Sequence, residues 1–476
     1  MKKVILIAFS LLVVVACQTD DQYEDMNRDP KNPTQVDADF LFNSAVKSLF
    51  DQMSSTNVNT NIFKILAQYF TETQYIDEAN YDMNQRNIPQ NHWSEMYRDV
   101  LLDLQTAAQN VEADAGLSAG EKSARIAQIE VLVVYTYQQM VDTYGNIPYT
   151  QSLDPISYPL PAYDDAATIY GDLITRINAA IPNLTGSGFG TDNIYGGDMS
   201  KWPKFGNSVK LKLGMHLADV DAATAKSTIE SAVAGGVFTS NADNAILPYS
   251  GTTPNTNPLW VDLVQSGRSD FVGANTIIDV MNPLNDPRRP YYFKQNLGDG
   301  VYVGGPYGAK NNFAEYTQLG ELLYTPTFRG DILDYAEVSF YLAEAAARGF
   351  AVGGTVESHY AAGITASILD WGGTAAEVTA YLANPAVAYA TAAGDWKAKV
   401  GTQFWIAMYN RGFVGWTVWR RLDVPTLNLQ KEKKKPVPFR YTYPVNEQQL
   451  NLTNLDDASE AIGGDDQQTK LFWDIH

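Results

Sequence analysis

The chain has 476 residues, 45% hydrophobic and only 18% charged, a composition that can bury a large core and is unlike that of a disordered chain. Its 34 Lys and Arg stand against 54 Asp and Glu for a net charge of −20, which opposes nucleic acid and anionic lipid headgroups as partners. A single cysteine excludes any disulfide framework.

That cysteine, Cys17, closes an apolar N-terminal run. Lys2 and Lys3 form a short positive region, Val4 to Val15 are apolar except for Ser10, and Val14-Val15-Ala16-Cys17 reads as a bacterial lipobox. A membrane-crossing helix needs about 20 apolar residues, so the run has the shape of a secretory leader instead. Residues 1–16 are expected to be a lipoprotein signal, with lipid attached to Cys17. The alternative, a structural cysteine behind a plain signal, has no second cysteine to pair with. Residues 17–34 are polar and acidic and predict a tether, and 35–476 a single body. The membrane link is then an anchor rather than a span.

Helical periodicity follows. Phe42, Val46, Leu49, Phe50 and Met53 share one face, and Trp93, Met96, Val100, Leu104 and Val111 form a longer stripe. Ile126, Ile129, Val133, Tyr137 and Met140 mark a helix stopped by Tyr144-Gly145. Together with later stripes these predict four helix pairs: 91–113 with 121–144, 164–181 with 204–220, 334–350 with 356–371, and 375–392 with 396–412. Pairs of this size resemble tetratricopeptide-like units, although no strict period is visible; an ordinary all-α bundle is the other reading. The expected fold is mainly α, with few short strands and a loop-rich face.

An insertion at 221–333 breaks the helical pattern. Much of it is rich in Gly, Pro, Tyr and Asn, and long loops of that kind tend to carry function. Val301-Tyr302-Val303 predicts a short strand between glycines. A second polar loop runs from Thr71 to Gln90.

Catalytic signal is sparse. The four histidines are far apart, with no metal-binding helix pair and no nucleophile elbow. No cofactor is implied. Asp77-Glu78 and Asp299 are loop carboxylates that a glycosidase would need to bring into a pair. Arg420-Arg421, beside Trp416 and Trp419, reads as internal cation–π and carboxylate pairing rather than an anion clamp. Lys431 and Lys433 to Lys435 predict an exposed basic loop.

Several segments together resemble the SusD/RagB outer-membrane nutrient-binding lipoproteins of Bacteroidetes, and more closely their SusD-like second subgroup. They are Asn27 to Pro33, Asp142-Thr143-Tyr144-Gly145-Asn146-Ile147-Pro148-Tyr149, Gly197 to Trp202 followed by Phe205-Gly206-Asn207-Ser208, and Asp286-Pro287-Arg288. Phe340 to Ala345, Trp416 to Pro425, and Tyr443-Pro444 through Phe472-Trp473-Asp474 complete the set. The resemblance implies a helical body on four tetratricopeptide-like pairs, anchored by lipid at the cell surface. It implies a SusC-type TonB-dependent transporter as partner, over which the protein sits as a lid. It also implies non-catalytic capture, usually of oligosaccharides and sometimes of peptides; a surface glycosidase is the enzymatic alternative.

Binding residues in this family vary, so none is carried over by motif. Sugar capture needs flat aromatic faces and polar hydrogen-bond partners. The loops at 71–90 and 255–330 offer Tyr75, Tyr81, Asn84, Arg86, Trp260, Tyr302, Tyr307, Asn311, Tyr316 and Tyr324. Trp93 and Trp416 are expected in the core, and Trp260 or Tyr302 as a platform.

Overall fold

The structure is a computed structural model that describes residues 36–476. The predicted leader, Cys17 and the tether lie outside the described residues. The body is mainly helical.

Helix α1 (Ala38–Ser54) starts where the Asp37 side chain accepts from the Asp39 N–H, and it buries the predicted stripe from Phe42 to Met53. The next stripe is one nearly continuous helical run, but its middle turn, Glu95–Leu101, is π-helical before α2 (Leu102–Ala113) resumes. Helix α3 (Ala119–Tyr144) opens on a reciprocal capping box between Ser118 and Glu121. It stops at Gly145, whose φ of +88° suits glycine, as the sequence predicts.

Four helix pairs build the scaffold, and in three of them the partners differ from those expected. Helix α3 packs on α4 (Ala166–Ala180), and α5 (Trp202–His216) on α6 (Ala222–Gly235). The predicted insertion therefore begins with a scaffold helix, and its irregular part starts only after Gly236. Two short strands, β1 (Phe70–Glu72) and β2 (Ala245–Leu247), later pair with β3 (Phe271–Gly273) and β4 (Gly330–Leu333), both antiparallel. Helix α7 (Asn275–Leu284) follows β3. Past β4, α8 (Tyr335–Ala347) packs on α9 (Val356–Asp370), as expected. The predicted helix 375–392 ends early: α10 spans Ala375–Leu382, just before Asn384-Pro385. Helix α11 (Trp396–Ala407) instead packs on α12 (Gly412–Leu422) and on α8. Residues 301–303 form no strand; among the described residues the strands are the four above.

Four of the sequence segments that carry the family resemblance, those around Asp142, Glu344, Arg420-Arg421 and Trp473, meet in the core. Buried Asp142 accepts hydrogen bonds from Tyr170 (2.6 Å), Gln138 (2.6 Å) and the Trp473 indole (2.7 Å), and lies 3.0 Å from His216. One short motif thus ties α3, α4, α5 and the C-terminus together. Arg420 lies over the Trp416 ring at 3.6 Å and donates to the carbonyls of Asp142 and Phe439. Arg421 donates to the Met215 carbonyl and to Glu344. Both arginines are internal, which is the structural reading of that motif. Lys431 and Lys433 to Lys435 are exposed.

His92 is fully buried among Phe63, Tyr144 and Tyr441. Its Nδ1 lies 2.7 Å from the Gln52 amide, while its Nε2 has no partner. Burial holds its pKa down to about 3, against about 6.5 in an unfolded chain. The unfolded state thus binds the extra proton, so this group favours folding above pH 6.5 and loses that contribution as pH falls from 6.5 towards 3. The loss amounts to about 2 kcal/mol by pH 5. A His92→Phe variant should lose less stability than the wild type between pH 7 and pH 5 in urea unfolding. Equal losses would show that His92 is not held neutral.

Candidate functional site

The two loops that the sequence singles out are joined by the β1–β3 ladder, which sets Phe70 opposite Gly273 and Glu72 opposite Phe271. Just beyond it the chain opens a cleft of about 240 Å³. The first loop contributes Tyr75, Glu78 and Arg86, and β1 contributes Glu72. From the second come Asp262 on a π-helical turn (Val261–Gln265), then Ser266, Arg268 and Asp270. The segment Thr56 to Asn59, after α1, closes the third side.

Tyr75 is 57% exposed, and the Arg268 guanidinium stands 5.4 Å from its ring centroid. Arg268 is held in place by Asp270 at 2.5 Å. Arg86 forms an ion pair with Glu78, whose side chain is buried at the base of the cleft. An exposed ring braced by a cation, beside acceptors fixed by burial, can stack on an apolar face and take hydrogen bonds from hydroxyl or amino groups.

The carboxylates are electrostatically strained. Glu72 is raised well above the usual carboxylate range, first by burial and then by the neighbouring Glu78 carboxyl. Its Oε2 accepts from the Ala79 N–H at 2.9 Å. Burial pushes Asp262 up to about 6. Lys64, beneath it, is brought down to about 7 by burial and spends its Nζ on the Ser54 and Ser55 carbonyls, at 2.7 and 3.2 Å.

Of the ten residues chosen from sequence, the structure brings Tyr75 and Arg86 into this cleft. Four others are buried and offer no ring or amide face to a ligand. Tyr81 is 1% exposed and takes a hydrogen bond from Gln68. Tyr307 is 2% exposed, and its hydroxyl donates to the Ile65 carbonyl. Tyr302 is buried against Phe293, with Arg289 over its ring. Asn311 spends its amide on the carbonyls of Glu72, Pro306 and Ala309. The platform expected at Tyr302 is therefore withdrawn: the loops need these side chains as their own core. Trp260, Tyr316 and Tyr324 are half-buried and do not line the cleft, and the Tyr324 ring is covered by Lys294 at 4.1 Å. Asn84 is exposed at a separate groove with Lys435 and Gln468. Asp299 is exposed and outside the cleft, and Asp77 does not line it either.

Sequence reasoning missed Glu72, Asp262, Arg268 and Asp270. A signal was available for the last two: Ser266-Gly267-Arg268-Ser269-Asp270 is a polar, glycine-containing turn between the apolar Leu263-Val264 and Phe271-Val272.

Among the described residues no helix is long and apolar enough to cross a membrane, and no three or more His, Cys, Asp or Glu converge as metal ligands. Residues 30–444 match the SusD-like family model described as "Starch-binding associating with outer membrane". No curated protein matches the chain. Similar solved structures include a chitin-binding protein at 25% identity, with a TM-score of 0.77 and coverage of 92% of this chain and 99% of the other. A SusD homolog from Bacteroides uniformis shares 26% identity at a TM-score of 0.77, covering 92% of this chain and all of the other. A chitin-binding SusD homolog from Flavobacterium johnsoniae has the same fold, with a TM-score of 0.78 at 22% identity over 92% of this chain and 99% of that one. With the family model covering most of its length and the fold of these relatives around the cleft, the chain belongs to the SusD-like family of glycan-binding proteins associated with the outer membrane.

Proposed function

We propose that this protein captures oligosaccharides at the cell surface, through the cleft beside Tyr75, and delivers them as a lid to a SusC-type TonB-dependent transporter. The observation that carries the reading is the meeting of both polar loops at one exposed aromatic ring, set beside buried charged acceptors. The relatives named as chitin-binding support a sugar ligand over a peptide. The role is non-catalytic. Of the loop carboxylates that a glycosidase would have to bring into a pair, Asp77 and Asp299 do not line the cleft.

Calorimetric titration with chitin and starch oligosaccharides tests the site. Tyr75→Ala should weaken binding by roughly 1–3 kcal/mol, the scale of a hot-spot aromatic, with little change in melting temperature. The wild type should release no new reducing ends from either glycan. If Tyr75→Ala and Arg86→Ala both keep wild-type affinity, the ligand binds elsewhere; tighter binding of peptides would favour the other class of cargo.

The anchor belongs to the same proposal. Lipid on Cys17 would hold an acidic protein at a membrane that its charge does not favour. Cys17→Ala should abolish incorporation of labelled palmitate and release the protein from the membrane fraction. Continued labelling of the variant would refute it.

A further inference from the structure

We propose that the cleft takes a sugar bearing a free amine, whose ammonium group is held by the carboxylates of Glu72, Glu78 and Asp262. This rests on the cleft being the glycan site. Four acidic side chains line it against two arginines. Both arginines are already engaged, Arg86 with Glu78 and Arg268 with Asp270. Glu72 and Asp262 are thus left without a cationic partner within the cleft. Lys64 lies behind Asp262, but its ammonium is fully buried and donates to two backbone carbonyls.

Three acceptors then lack adequate donors. Glu78 Oε2 is buried with no hydrogen-bond partner at all. Asp262 accepts from the Ser55 hydroxyl at 3.3 Å, a long contact, and Glu72 has one backbone N–H. A buried acceptor without a donor is costly, and more so when it is charged. A sugar hydroxyl would satisfy an acceptor but leave the charge in place. An acetamide supplies one N–H and no charge. An ammonium supplies three donors and the missing charge together. A uronate or sulfated sugar would be repelled. The raised Glu72 and Asp262 agree with carboxylates that lack a cation in the ligand-free protein. The exposed face of Tyr75 supplies the stacking surface for the same ring or the next one.

The test is calorimetric titration of the full chain with three hexamers: glucosamine, N-acetylglucosamine and glucose in the same β-1,4 linkage. The glucosamine hexamer should bind roughly tenfold or more tightly than either neutral one. Asp262→Asn should erase that preference, bringing the glucosamine hexamer to within about twofold of the neutral ones, since it removes the charge and little shape. Asp262 is half-exposed, so this variant should fold, and its melting curve checks that; Glu78→Gln serves as the buried second variant. Equal or tighter binding of a neutral hexamer, still weakened by Tyr75→Ala, would overturn the amine while leaving the glycan site standing. No binding by any of the three would overturn both. Displacement of the glucosamine hexamer by calcium chloride, but not by sodium chloride of equal ionic strength, would mark a metal site instead and also overturn the proposal.

Discussion

Replacing Arg288 by Met should cost about 3–5 kcal/mol of folding stability, the expected penalty for stranding a buried carboxylate. Arg288 and Asp286 are both fully buried. The guanidinium grips the carboxylate with two bonds, Nε to Oδ1 at 2.9 Å and Nη2 to Oδ2 at 2.6 Å. Its remaining donors reach Ser367 on α9 at 3.2 Å and Gln403 on α11 at 2.8 Å. Tyr381 on α10 donates to Asp286 at 2.7 Å and lays its ring 5.6 Å from the guanidinium. The pair therefore clamps the middle of the irregular insertion onto α9, α10 and α11. Met fills much of the space but leaves Asp286 with no counter-charge. The pair as a whole is a weaker stabiliser than its rupture implies, because burying both ions is itself costly. The double variant Arg288→Met, Asp286→Ala should accordingly regain a good part of the loss. Urea unfolding of both variants decides it: a single variant with the wild-type midpoint would show that the clamp contributes nothing. A double variant worse than the single one would show that Asp286 has other work.

Much of this fold was legible because amphipathic stripes report burial directly. Phe42 to Met53, Trp93 to Val111 and Ile129 to Met140 fall where their period places them. What a stripe does not report is which neighbour it meets. Helix α6 was assigned to the insertion because its inward face is Ala225, Thr228, Ile229 and Ala232, too small to stand out from the Ala, Ser and Thr around it. The π-helical turn at Glu95–Leu101 leaves the stripe nearly intact and so is silent in sequence. In the cleft, Tyr75 and Arg86 are local to one loop, and the sequence singles out both. It does not single out Glu72, Asp262 and Asp270, because only the β1–β3 pairing brings segments some 200 positions apart to one edge. The buried Tyr81, Tyr302 and Tyr307 misled for a physical reason. A loop region with few helices must still exclude water, and tyrosine does so while its hydroxyl satisfies a backbone carbonyl or a side-chain amide. Richness in tyrosine therefore marks a loop core as readily as a binding face.

The same distinction sets the second large effect, at tryptophan. Trp416 has no exposed surface. It stacks beside Phe63 at 5.8 Å and Tyr441 at 6.0 Å, and its indole N–H donates to the Pro438 carbonyl at 2.8 Å. Arg420 covers the ring at 3.6 Å, and that arginine is itself fully buried, its charge stabilised by carbonyls and two aromatic faces, Trp416 and Trp473. Trp416→Ala should cost about 3–5 kcal/mol from the lost burial and the cavity. It also removes the face against which Arg420 is desolvated, so the cost should lie toward the upper end. Trp416→Phe keeps a ring under the guanidinium but leaves the Pro438 carbonyl without its donor, and should cost roughly 1–3 kcal/mol. Trp260, half-buried on a one-turn helix and outside the cleft, should change stability far less when cut to Ala. It should also leave glycan affinity untouched, where Tyr75→Ala does not. Melting curves and titrations on the four variants separate core from platform: a Trp416→Ala protein as stable as wild type would mean that this aromatic cluster does not hold the body together.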